Sequence, residues 1–216
     1  MLAIIQARTS SRRFKNKVLY PIYGKPLIQH VIEKAKKSKK VNIIVATSKK
    51  KNDDKLIKFL SIKKIKFYRG SLTNVAKRLY DTANSENQKF FLRISGDSPL
   101  IDYRLINKVI NIFNKNKNFD LITNIFPRTF PSGQSVEIIK TSILQKYMKH
   151  FSKLDKEHVT RYFYRNSSKF KIMNFRNKKR AYLKKLSIDS MSEIKMILKV
   201  FNKKKFSNFS YLNEKY

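Results

Sequence analysis

Apolar residues in the first half of the chain alternate between two periods. Residues 2–6 (LAIIQ) form a short apolar run that gives way to a polar, basic loop, the pattern of a strand covered on both faces. From Pro26, a residue suited to a first helical turn, Ile28, Val31, Ile32 and Ala35 recur at helical spacing. Residues 43–46 then predict a strand, 53–60 a helix, 66–68 a strand, 74–83 a helix, 90–94 a strand and 103–113 a helix. Such strand–helix alternation predicts an α/β fold with a mostly parallel sheet.

The second half is less regular. Strands are expected at 120–124, 136–139, 170–175 and 183–188, with helices at 142–150, 157–164 and 193–201. No linker or repeat interrupts the 216 residues, so one catalytic domain spanning 1–216 is expected. The N-terminus lacks a basic leader and an apolar export segment, and no apolar run approaches the roughly 20 residues that cross a bilayer. A cytoplasmic protein without membrane insertion is the expectation. With no cysteine, disulfides and thiolate metal sites are excluded.

Charge adds a complication. Fifty Lys and Arg against 14 Asp and Glu give a formal net charge of +36, which resembles the footprint of a nucleic-acid binder. The lysines, however, are scattered: 34–40, 49–51, 63–66, 178–185 and 203–205 all carry several. Together with abundant Asn, Ile, Phe and Tyr, this reads as a compositional bias rather than a dedicated face, and no specific nucleic-acid partner is expected. Salt-sensitive attraction to anionic substrates remains a physical consequence. The four glycines, Gly24, Gly70, Gly96 and Gly133, each fall in a loop beside a predicted element and mark tight places in the backbone.

Three segments could carry chemistry. Residues 7–17 (ARTSSRRFKNK) follow the first strand and gather hydroxyls, backbone N–H groups and five cations, which suits a polyphosphate as well as a solvated loop. Neither G-x-x-x-x-G-K-[ST] nor G-x-G-x-x-G is present. Residues 93–102 (RISGDSPLID) end another predicted strand. Asp97 there is either a hard-cation ligand or a turn residue, and Asp102 has the position of a helix N-cap. Asp189, in LSIDS, again sits between a strand end and a helix, as a ligand or a cap.

The order of these pieces resembles the spore-coat polysaccharide biosynthesis protein F group of cytidylyltransferases, relatives of the acylneuraminate and 3-deoxy-manno-octulosonate enzymes. The matching segments are 4–17, 24–27, 44–48, 68–71, 93–102, 133–137, 157–160 and 186–193, nearly the whole chain in order. The resemblance implies a Rossmann-like nucleotidyltransferase fold and transfer of CMP from CTP to a sugar acid or related acceptor, with Mg²⁺ as cofactor and pyrophosphate as product. It implies nucleotide contacts from Ala7, Arg8, Ser10, Ser11, Arg13, Lys17, Gly70, Ser71 and Arg78, and catalytic roles for Arg13, Lys17 and Asp97. Asp97 and Asp189 would hold the metal, while Arg93, Gln134, Glu137, Glu157 and His158 would contact the acceptor. A homodimer is the assembly that the relatives suggest.

The chain departs from the family at Ser10, where glycine is usual, and at Phe14-Lys15, where a Leu-Pro pair is usual. The last motif, Asp189-Ser190-Met191-Ser192-Glu193, lacks the family's proline and further acids. Alternatives are a nucleotidyltransferase for another nucleotide or a non-sugar acceptor, and a non-catalytic basic module that binds polyanions.

Overall fold

A computed structural model of the protein describes residues 1–11, 13–177 and 185–213. Seven strands form one sheet in the order β5 (Phe67–Gly70), β4 (Asn42–Ser48), β1 (Leu2–Gln6), β6 (Phe90–Ser95), β8 (Glu137–Lys140), β7 (Leu121–Thr123), β9 (Ile172–Asn174). Only β8 runs antiparallel, against β6 and β7. The fold is therefore α/β and Rossmann-like, with a mostly parallel central sheet.

Strand β1 shows why the apolar run reads as it does. Its alternate side chains enter two different cores: Ala3 and Ile5 face one side of the sheet, Leu2 and Ile4 the other. On the first side lie α1 (Leu27–Lys36), α2 (Asp54–Ile62), α4 (Tyr103–Lys115), α8 (Met191–Val200) and α9 (Lys203–Asn208). On the second lie α3 (Val75–Ser85), α5 (Thr141–Tyr147) and α7 (Arg161–Arg165), with α6 (Lys153–Glu157) against α3. Burial of one such Ile or Leu contributes about 1.5–3 kcal/mol, so a stripe like Leu27, Ile28, Val31, Ile32 and Ala35 fixes the face α1 presents.

Register brings the strand ends level. Gln6 pairs with Ala46 on β4 and with Ser95 on β6, so three chains leave the sheet at one edge. Connections run outward from β1 to β4 and β5, then return to place β6 on the other side of β1. This reversal opens a crevice at the carboxyl ends of β1 and β6, the usual ligand position in such sheets. Gly96 keeps the two ends close, because a Cβ there would lie 2.8 Å from the Gln6 carbonyl oxygen and 2.9 Å from the Ala7 Cβ.

Several expectations are corrected. Residues 157–164 are not one helix: α6 ends at Glu157, His158 leaves helical geometry, and α7 starts at Arg161. The bend lets Arg161 and Arg165 both reach back to the buried Asp155, at 3.0 and 2.6 Å. Of the strand expected at 183–188, residues 183 and 184 lie outside the described residues, and 185–188 form no strand, with a bend at Ser187. A small hairpin, β2 (Pro21–Ile22) with β3 (Lys25–Pro26), and helix α9 are additional. Pro26 ends β3 and caps α1 instead of opening its first turn. Among the described residues, no helix is long and apolar enough to cross a membrane.

Candidate active site

The crevice widens into a cavity of about 860 Å³ walled by the first loop, the ends of β1 and β6, and the segments around 125–137, 157–165 and 187–189. At its base lies Lys17. Its ammonium donates to Asp97 Oδ2, Asp189 Oδ1 and the Ile188 carbonyl, each at 2.9 Å, which uses all three of its protons. Lys17 is 8% exposed, so these charge-assisted bonds are shielded from water.

Each carboxylate is placed by its own segment. Asp97 follows the β6 end through Gly96, and its carbonyl accepts from Ile188 N at 2.9 Å, which ties the two acidic segments together directly. Asp189 immediately precedes the N-cap of α8, where Ser190 and Glu193 form a capping box, and its own backbone N–H donates to Glu193. Burial alone would raise the Asp189 pKa, but hydrogen bonds from Lys17 and Lys185 outweigh it and bring the carboxyl down to about 2. Arg13 adds a third cation at 3.4 Å.

Gly133 sets the position of the 186–189 segment. It adopts φ +94°, and a Cβ would lie 2.5 Å from the Leu186 carbonyl carbon and 2.7 Å from Ser187 N. Leu186 N donates to Ser132 O at 2.8 Å, and the Ser132 and Ser187 hydroxyls meet at 2.7 Å.

On the β5–α3 side, Arg78 is 2% exposed and lines the cavity. One of its guanidinium nitrogens donates to Ser71 O at 2.6 Å, while Nε has no partner. Burial first, and the charge of Arg8 second, draw the guanidinium down to about 10 against the pull of Asp53, so it stays a cation at neutral pH. Arg8 itself reaches across the mouth to Glu157 at 2.8 Å.

The opposite wall comes from the second half of the chain. Glu137 is buried, pairs with Arg93, and accepts from the Tyr164 hydroxyl at 2.5 Å. Arg93 also donates to Gln6 Oε1 at 2.9 Å. Tyr164 stacks on Phe126 with ring centres 4.6 Å apart, and burial beside Glu137 raises its pKa far above that of a free phenol. Arg128 lines this wall, bonded to Ser135 Oγ at 3.2 Å and, among the described residues, in no ion pair.

Of the residues expected from sequence, Ala7, Arg8, Ser11, Arg13, Lys17, Arg78, Arg93, Asp97, Glu137, Glu157, His158 and Asp189 all line this one cavity. Four do not. Gln134 is fully buried and spends its side chain on Asp102 N at 3.0 Å and Leu100 O at 2.6 Å, bracing the loop after Asp97 instead of facing an acceptor. Gly70 packs on the Arg78 side chain and Ser71 holds Arg78 and the start of α3, so both act behind the wall. Ser10 lies off the cavity with a buried hydroxyl that has no partner among the described residues. Sequence reasoning missed Arg128, Phe126 and Tyr164; an arginine beside the Pro131–Gly133 turn was the one available signal for the first of these.

Two carboxylates converging on one cation also bear on metal binding. A hard divalent ion commonly takes one or two carboxylates and completes its shell with phosphate oxygens and water. Asp97 and Asp189, each within hydrogen-bond reach of the same nitrogen, fit that donor set. Among the described residues, no group of three acidic or histidine side chains could hold a metal by itself.

A doubly wound sheet whose cationic first loop faces one carboxylate just after a strand and another just before a helix is the framework of a nucleotidyltransferase. The chain belongs to the cytidylyltransferase family, whose sequence model matches residues 2–215. It is 25% identical to the spore coat polysaccharide biosynthesis protein SpsF of Bacillus subtilis, over 94% of this chain and 87% of that protein. It is 34% identical to the 3-deoxy-manno-octulosonate cytidylyltransferase of Fusobacterium nucleatum over 129 residues, 56% of this chain and 49% of that one. The solved structure of a cytidylyltransferase from Leptospira borgpetersenii superposes with a TM-score of 0.89 at 28% identity, covering 98% of this chain and 90% of that one.

Proposed function

We propose that the protein transfers CMP from CTP to the hydroxyl of a sugar acid or closely related acceptor in the cytoplasm, releasing pyrophosphate, for assembly of a surface polysaccharide or glycoconjugate. The observation that carries this reading is the convergence of Lys17, Asp97 and Asp189 at the β1–β6 crevice. In-line attack of the acceptor hydroxyl on the α-phosphorus forms one P–O bond, breaks the bond to pyrophosphate and releases the hydroxyl proton to solvent, and most of the protein's work is orientation and charge compensation.

In this reading Arg8, Ser11 and Arg13 hold the triphosphate, while Lys17, its three protons engaged by Asp97, Asp189 and the Ile188 carbonyl, acts with Arg13 through its charge to offset charge that gathers on the leaving pyrophosphate. Arg78 supplies buried donors for the carbonyl side of the pyrimidine. Asp97 and Asp189 hold Mg²⁺, which when bound would polarise the phosphate oxygens and lower the repulsion met by the nucleophile. The acceptor lies against Arg93, Glu137, Glu157, His158, Tyr164 and Arg128. Arg128 offers its cation to an acidic group, whereas Glu137 has both oxygens engaged and shapes the wall without taking a proton.

Asp97→Asn tests the scheme. This variant keeps the size of the side chain and is expected to fold with a melting temperature close to wild type while losing Mg²⁺-dependent turnover. Turnover near the wild-type rate would remove Asp97 from the mechanism.

A further inference from the structure

The first loop contains no glycine, yet two of its described residues, Thr9 and Asn16, are tied into the fold by hydrogen bonds. Thr9 is fully buried; its backbone N–H donates to one oxygen of Asp53 at 2.7 Å, and its hydroxyl proton is shared between that oxygen at 2.6 Å and the Asn52 carbonyl at 2.8 Å. The other oxygen of Asp53 accepts from Ser48 N at 3.0 Å and from the Ser48 hydroxyl. Asp53 is itself fully buried, and four donors match the acceptor capacity of an ionised carboxylate. These bonds outweigh burial and hold its carboxyl below the usual range. From Thr9 the connection continues inward. The Thr9 carbonyl accepts from Asn16 N at 2.8 Å, Asn16 turns the chain at φ +59°, and the next residue is Lys17.

We infer that Asp53 is the positioning residue of the triphosphate loop: it fixes Thr9, and through Asn16 it sets where Lys17 and Arg8 stand relative to Asp97 and Asp189. The inference rests on the reading of the 7–17 loop as the triphosphate site. Asp53 does not line the cavity and touches no substrate in this arrangement. It joins Thr9 to the end of β4, so Thr9 is held against the sheet edge.

Asp53→Asn exchanges one acceptor oxygen for an NH₂ group that faces two donors, and the loop must shift to relieve this. Calorimetry of CTP·Mg²⁺ and of CMP binding separates a positioning role from a general loss of fold. CTP affinity is expected to fall about tenfold or more, because small misplacements of binding groups are costly. CMP, which lacks the β and γ phosphates, is expected to bind within about threefold of wild type. Thr9→Val, which removes one of the four donors, is expected to be intermediate, and Thr9→Ser, which restores the hydroxyl, to return CTP affinity to within about twofold of wild type. A folded Asp53→Asn protein with wild-type CTP affinity, or one that loses CTP and CMP equally, would overturn the inference. Should that variant not fold, wild-type CTP affinity in Thr9→Val does the same. Wild-type protein that binds no CTP would overturn the reading of the loop, and this inference with it.

Discussion

Lys17 Nζ stands 2.9 Å from Asp189 Oδ1, joining residues 172 positions apart in the chain. The contact brings a first-loop cation to a carboxylate from the far end of the sequence, with Asp97 on its other side. Lys17→Met keeps much of the apolar stem and removes the charge. Loss of a single preorganised group that stabilises developing charge typically costs about 10²–10³ in kcat, and that range is expected here. Pyrophosphate release measured at saturating CTP checks it; a variant within about threefold of wild type would place Lys17 outside the chemistry.

Asp189 makes stability depend on pH in a defined direction. Its folded pKa is lowered from 3.8 to about 2, so the stabilisation is fully present above the unfolded value and is lost as pH falls through the folded one. The shift corresponds to about 2 kcal/mol. Urea unfolding of wild type and Asp189→Asn between pH 6 and pH 2 should show their difference shrinking by about that amount across this window. A difference that stays constant with pH would mean that the Lys17 and Lys185 contacts do not hold the carboxylate in solution.

Gly133 tests how the acidic segment is seated. Alanine there must accept a left-handed backbone and a Cβ 2.5 Å from the Leu186 carbonyl carbon. The expected cost is about 2 kcal/mol or more, seen as a lower urea midpoint, because strained φ/ψ values alone cost of order 1–3 kcal/mol. Activity should fall further than the folded fraction explains, since the displaced segment carries Asp189. Unchanged stability and turnover in Gly133→Ala would show that the 186–189 backbone yields freely.

What the sequence made legible follows from what is local. The run 2–6 and the run 90–94 declare themselves as buried strands, and the loops that follow must then lie at the sheet's carboxyl edge. Helix starts with polar caps, such as Asp102 before α4, are equally local: its Oδ1 accepts from Arg104 N at 2.9 Å. The reversed direction of β8 depends on pairing with β6 and β7 and leaves no trace in its own four residues. Residues 157–164 have helical composition, and the break at His158, which goes with the contacts of Arg161 and Arg165 to Asp155, has no local signal. Asp53 opens the helix expected at 53–60, and nothing nearby in sequence reveals its contact with Thr9 44 residues away. Gln134 lay inside a matching motif, and only its burial shows that it braces a loop.

The most direct test is pyrophosphate release from each of the four ribonucleoside triphosphates with Mg²⁺, offered 3-deoxy-octulosonate, nonulosonic acids and phosphorylated small metabolites as acceptors. Release that requires CTP together with an acidic sugar is the predicted result. Release that prefers another nucleotide, or no release and no CTP binding with any acceptor, would contradict the proposed reaction.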